Sequence, residues 1–209
     1  MNLQTIASHM RRAGAMLLAT MVMAACDRPA EPRSGAESAA SSPTQAAAQR
    51  DTQAGREKSV QCLACHGALG MSENQLWPNL AGQSVAYIAK QLRDYRDGRR
   101  ADPWMTQMAV PLSDDDIDDL AAYFSSLDGV GGEPGSTLVA AATCIACHSA
   151  QAVASNPLWP ALTGQNEHYL AKQLRDFRAG RRTDPVMAPL AQVLSDDQVT
   201  ALAAHFADQ

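Results

Sequence analysis

Aromatic side chains are scarce in this chain. Three Trp, four Tyr and three Phe make up 5% of its 209 residues, and alanine supplies much of the 46% hydrophobic fraction. One or two small domains with so few large side chains have thin cores, and such domains are commonly held by staples, metals or cofactors. No alternating apolar–polar pattern stands out, which speaks against a sheet-based core. No apolar run reaches the roughly 20 residues that span a bilayer as a helix. Basic residues are outnumbered, with 17 Lys and Arg against 22 Asp and Glu. The basic face that nucleic acid demands is therefore missing.

What is present begins with an N-terminal signal. Arg11 and Arg12 precede "AGAMLLATMVMAA", residues 13–25, an uncharged run of 13. A basic start, a short apolar run and small residues at its end predict an export signal over 1–25. Cys26 follows at once. The arrangement resembles the lipobox of bacterial lipoproteins, whose cysteine becomes the lipid-modified first residue, although Met23 stands where leucine is usual. An odd cysteine in an exported chain also calls for a role. A lipoprotein-type signal peptide over 1–25, lipidation at Cys26 and a periplasmic location are the expectations. Loss of Arg11 and Arg12 with the leader leaves 15 basic against 22 acidic residues, a net charge of −7. Residues 26–50 are rich in Ala, Ser and Pro, lack an apolar period and read as a disordered linker. As a flexible coil this segment spans roughly 25–30 Å, which suits a tether to a membrane.

The remainder is one unit written twice. A shift of 82 residues places "CLACH" on "CIACH", "LWPNLAGQ" on "LWPALTGQ", and "YIAKQLRDYRDGRRADP" on "YLAKQLRDFRAGRRTDP". From Cys62 to Phe124, 35 of 63 positions are identical without a gap. This is duplication, with domains expected over 51–127 and 137–209 and a glycine-rich joint over 128–136. Each copy reads as mostly helix. Ile88, Leu92 and Tyr95 share a helical face that Gly98 terminates. Ser113 and Asp116 form a capping box ahead of the apolar face Ile117, Leu120, Phe124 and Leu127. Leu170, Leu174, Phe177 and Gly180, then Ser195, Gln198, Leu202 and Phe206, repeat the pattern. A short helix is expected to lead into each cysteine pair. The fold class is all-α.

Cys62, Cys65 and His66, with Cys144, Cys147 and His148, pose a chemical choice. Structural zinc takes four ligands, and each copy offers two cysteines and one histidine. Pooling both pairs in one site leaves both histidines idle and ignores the duplication. A redox dithiol is possible in an exported chain, but no βαβ pattern surrounds it. Cys-x-x-Cys-His is also the attachment signature of c-type haem. Its two thiols add across the two vinyl groups, and the next histidine binds the iron. Two such pentapeptides in two small helical domains favour this reading, and a haem in each supplies the missing apolar core. The repeat also points to the sixth iron ligand. Of Met71, Met105 and Met108, only Met105 has a methionine counterpart, Met187; the others align with Val153 and Leu190. Met105 and Met187 are the expected ligands, and a thioether opposite histidine raises the potential.

With "CLACHG", "WPNLAGQ", "YIAKQL", "MTQMAVPLSD" and "LAAYF" and their counterparts, the chain resembles the diheme cytochrome c4 family over residues 51–209. The resemblance implies two tandem class I cytochrome c domains related by a pseudo-twofold, two covalently bound haem c, and facing haem edges. It implies that Pro78 and Pro160 offer their carbonyls to the second nitrogen of the axial histidines, and that Arg99, Arg100, Arg181 and Arg182 face either haem propionates or solvent. It pairs a small residue of the first helix, Gly55 in copy one and Thr137 in copy two, with an aromatic of the last; there Tyr123 gives way to His205, expected as a packing or surface residue. His168 is expected at the surface. No catalytic residue is implied. The implied partners are redox proteins, with a quinol:cytochrome c oxidoreductase as donor and a terminal oxidase as acceptor. The alternative is a haem subunit that accepts electrons within a periplasmic oxidoreductase, such as a sulfide-oxidising flavoprotein, or a fixed subunit of a terminal oxidase.

Overall fold

The structure, a computed structural model, describes residues 52–135 and 138–208. The expected leader over 1–25, Cys26, the linker over 26–50 and Thr137 lie outside the described residues. Among the described residues the chain is helical, without strands. The first copy comprises residues 52–58 (α1), Val60–His66 (α2), Val85–Arg96 (α3), Pro103–Ala109 (α4) and Asp114–Ser125 (α5). The second comprises a 3-10 turn at Val139–Ala141, then Ala142–His148 (α6), Ala150–Ser155 (α7), Glu167–Arg178 (α8), Met187–Gln192 (α9) and Asp196–Ala207 (α10). The cysteine-bearing helices α2 and α6, and the long helices α3 and α8, α5 and α10, start and end 82 residues apart.

Local chemistry explains the boundaries. The Ser84 side chain caps α3 by accepting from Tyr87 N. Gly98, at φ +73°, takes the left-handed position just past its end, where a side chain is disfavoured. Ser113 with Asp116, and Ser195 with Gln198, form complete capping boxes at α5 and α10. In the first copy α3 packs on α5, and in the second α8 packs on α10. The cores are small, as the composition requires. Ile88, Ala89, Ile117, Leu120, Ala121, Tyr123 and Phe124 form one. Ala141, Leu170, Ala171, Val199, Leu202, Ala203 and Phe206 form the other. Cys62 packs against the first and Cys144 against the second, so each attachment helix borders its core.

The copies differ at their entrances. In copy one α1 lies against α5 so closely that a Cβ on Gly55 would sit 2.0 Å from the Asp119 carbonyl oxygen and 2.7 Å from Tyr123 Cβ. Lys58 pins the same contact, 2.7 Å from Asp116 and 2.5 Å from Asp119. In copy two the described residues show only the three-residue 3-10 turn ahead of α6, so the expectation of a helix leading into each cysteine pair holds in copy one alone. Past the histidine the contrast reverses. Gly67 turns the first chain at φ +83°, whereas its counterpart Ser149 is extended and caps α7, a helix without a partner in copy one. His205 is buried and packs edge-on to Phe206, and His168 is exposed.

Candidate haem sites

Positions i and i+3 fall on one helical face. Helix α2 therefore presents Cys62 and Cys65 together, with His66 at its last position, and α6 presents Cys144, Cys147 and His148 in the same register. None of these four cysteines is paired in a disulfide. Burial pushes the Cys62 thiol up to about 11 and raises that of Cys144 as well. A reactive dithiol needs the opposite shift, toward thiolate. Among the described residues no group of three or more His, Cys, Asp and Glu converges to hold a metal ion, so the two cysteine pairs do not pool into one site.

Both histidines are 6% exposed. His66 Nδ1 lies 2.8 Å from the Pro78 carbonyl oxygen, and His148 Nδ1 lies 2.8 Å from that of Pro160. A carbonyl only accepts, so Nδ1 carries the proton and donates. Nε2 is left with its lone pair, ready for a metal. Burial lowers both imidazole pKa values and outweighs the opposing pull of the proline carbonyls, which favours the neutral ring that a metal needs.

The methionines are set by a device that sequence reading missed. The Asp102 carboxylate accepts from Trp104 N at 3.0 Å and Met105 N at 3.1 Å, with Pro103 at the first helical turn. Asp184 does the same for Val186 N and Met187 N, both at 2.9 Å. The "DP" shortly ahead of each methionine was the available signal. Met105, Met108 and Met187 are all half-buried, while Met71 is more exposed.

The two copies meet across a symmetric polar interface. Arg100 stacks on Tyr95 and donates to Gln91 Oε1 at 2.6 Å, to Gln173 Oε1 at 2.8 Å and to the Tyr169 hydroxyl at 3.2 Å. Arg182 stacks on Phe177 and donates to Gln173, Gln91 and Tyr87 in the mirrored arrangement. Each contact thus recurs with the copies exchanged, the signature of an isologous interface. Arg99 and Arg181 instead lie exposed and pair with Asp94 and Asp176, both at 2.8 Å. The four arginines therefore split into two surface residues and two interface residues. Among the described residues, all the hydrogen-bond acceptors of the Arg100 and Arg182 side chains are neutral. A partly buried cation with neutral partners favours an added anion, and the carboxylates of a haem fit that need. Gln83, Gln165, Gln91, Gln173, Tyr87 and Tyr169 were missed as site residues, although each lies in a segment shared by both copies.

A helical domain with a covalent attachment pair, a buried histidine fixed through Nδ1 and a capped methionine helix is a c-type cytochrome domain, and here it occurs twice. The cytochrome c family model matches residues 52–128 and again 132–208. Cytochrome c4 of Pseudomonas aeruginosa is 37% identical over 174 residues, covering 74% of this chain and 87% of that protein. The thiosulfate dehydrogenase electron acceptor of Stutzerimonas stutzeri is 35% identical over 169 residues, covering 70% and 78%. The crystal structure of reduced recombinant cytochrome c4 from Pseudomonas stutzeri superposes with a TM-score of 0.65 at 35% identity, covering 75% of this chain and 97% of that one. The chain belongs to the cytochrome c family as a diheme member of the cytochrome c4 group, with two covalently bound haem c and a role in electron transfer.

Proposed function

We propose that the protein is a periplasmic electron carrier that moves electrons between membrane respiratory complexes and catalyses no reaction of its own. The observation that carries this reading is the histidine geometry. In both domains Nδ1 is tied to a proline carbonyl at 2.8 Å, and Nε2 of a buried, neutral ring is left for iron. Cys62 and Cys65, and Cys144 and Cys147, hold the two haems. His66 with Met105, and His148 with Met187, are the axial ligands, and Pro78 and Pro160 orient the histidines. Bound in this way, each haem supplies a one-electron centre, and two filled axial positions leave no site for a substrate. Cys26 with the linker tethers the carrier near a quinol:cytochrome c oxidoreductase as donor and a terminal oxidase as acceptor, raising its effective concentration at both. Among the described residues no helix is long and apolar enough to cross a membrane.

A second reading has support from one relative. The similarity to a thiosulfate dehydrogenase electron acceptor favours an acceptor working with one dedicated dehydrogenase. Stopped-flow mixing separates the two. A respiratory carrier, once reduced, is reoxidised by membranes that hold a terminal oxidase and reduced again by quinol. A dedicated acceptor is reduced by thiosulfate plus its dehydrogenase and stays reduced with such membranes, which would overturn the first reading.

A further inference from the structure

We propose that Gln83 and Gln165 tune the haems across the domain boundary, each acting on the axial histidine of the other domain through a single backbone amide. The inference rests on the reading of His66 and His148 as iron ligands.

The peptide group joining Pro78 to Asn79 is engaged at both ends. Its carbonyl oxygen accepts from His66 Nδ1 at 2.8 Å, and its N–H donates to Gln165 Oε1 at 2.7 Å. The peptide joining Pro160 to Ala161 repeats this, with His148 Nδ1 at 2.8 Å and Gln83 Oε1 at 2.9 Å. Each glutamine then closes a ring on the residue it touches. Gln165 Nε2 donates to Asn79 O at 2.9 Å, and Gln83 Nε2 donates to Ala161 O at 3.0 Å. Because a backbone N–H only donates and a carbonyl only accepts, the orientation of both side-chain amides is fixed. Each Oε1 also accepts from the next N–H of its own chain, Ser84 at 3.1 Å and Asn166 at 2.9 Å, which holds the side chain in place. Both glutamines are 4% exposed, so water does not compete with the relay.

The physics gives a direction. Hydrogen bonding to an amide N–H draws its nitrogen lone pair further into the carbonyl, and bonds in such a chain strengthen one another. The Pro78 oxygen therefore carries more negative charge because of Gln165, and the Pro160 oxygen because of Gln83. A stronger bond at Nδ1 makes the imidazole a more basic ligand. A more basic ligand favours the oxidised iron, so each glutamine lowers the potential of the haem in the opposite domain. The link is reciprocal. A change of charge at one iron alters its Nδ1 bond, and with it the bond to a glutamine that the other domain supplies.

The test uses the full holoprotein. Gln83→Met keeps length and apolar bulk but neither accepts from nor donates to Ala161. The second-domain haem should rise in potential while the first moves less, and the His148 Nδ1–H resonance should shift toward a weaker hydrogen bond. Gln165→Met should give the mirror result at His66 and the first haem. A shift confined to the mutated residue's own domain, equal shifts at both haems, or no shift at either would overturn the relay. A second measurement needs no variant and so is immune to misfolding. In an NMR redox titration the Gln83 side-chain amide should follow oxidation of the second haem, and the Gln165 amide that of the first; the reverse pattern, or no response, overturns it equally. Ligand resonances in the unmutated protein that assign the irons to side chains other than His66 and His148 would sink the ligand reading before any glutamine variant is compared, and the relay with it.

Discussion

A histidine next to a cysteine pair does not reveal which ring nitrogen it will offer. The fold decides this by placing the Pro78 and Pro160 carbonyls 2.8 Å from Nδ1. Cys62, Cys65, His66 and their counterparts were legible in the sequence because covalent attachment demands a fixed spacing. The glutamines were not, because an identical polar residue in two copies reads equally well as surface or as site until its burial is known. Met105 and Met108 stay hard to separate by burial, since both are half-buried; the repeat favours Met105 as the proposed ligand, and Asp102 accepts from its N–H. Met105→Ala should lower the potential of the first haem, abolish its thioether band and open its iron to carbon monoxide. Met108→Ala should leave the visible spectrum unchanged and cost about 1–2 kcal/mol of packing in a denaturant titration. The opposite pattern would exchange their roles.

Among the elements, the two long helices of each copy were legible because apolar period and end signals agree; the short α4, α7 and α9 were not. The unequal entrances were not, because they depend on approach rather than pattern. The Gly55 contact gives a sign test. Gly→Ala inside an exposed helix stabilises by about 0.5–1 kcal/mol. Gly55→Ala should instead destabilise the first domain by about 2 kcal/mol, because its Cβ would meet the Asp119 carbonyl at 2.0 Å and a backbone cannot swing aside. Thermal unfolding followed at the first haem checks this, and a higher midpoint would show that α1 is only loosely docked. The turn after α3 gives a pH test. Partial burial raises the Asp94 carboxyl, but Lys90 and Arg99 more than offset it, and the net shift is downward. A depressed folded pKa contributes stability that is present above the unfolded value of about 3.9 and is lost as pH falls through the folded one. Asp94→Asn should therefore lower stability at pH 7 and flatten its decline below about pH 4, as read by guanidinium unfolding at a series of pH values. An unchanged slope would mean that the clamp carries no proton linkage.

For the whole molecule, duplication was plain from the 82-residue register, and the cysteine-bearing and long helices keep it. The interface was hidden, because Tyr87, Gln91 and Arg100 meet their counterparts only once both copies are folded face to face. Two small domains share partly buried arginines and exchange glutamine bonds, and both copies belong to one compact unit. Under the proposed tether, location depends on Cys26. Cys26→Ser should move the protein from the membrane fraction to the soluble periplasm without loss of haem, as read by fractionation and haem staining. A wild-type protein already soluble after export would remove the tether from the account.

The measurement that bears most directly on the central claim is a visible spectrum of the purified full chain, taken with its pyridine haemochrome stoichiometry. Two haems per chain, a thioether-to-iron band accounting for both, and no carbon monoxide binding on reduction are the predicted result. One haem per chain, or a reduced protein whose haem binds carbon monoxide without mutation, would contradict a carrier built from two closed histidine–methionine centres.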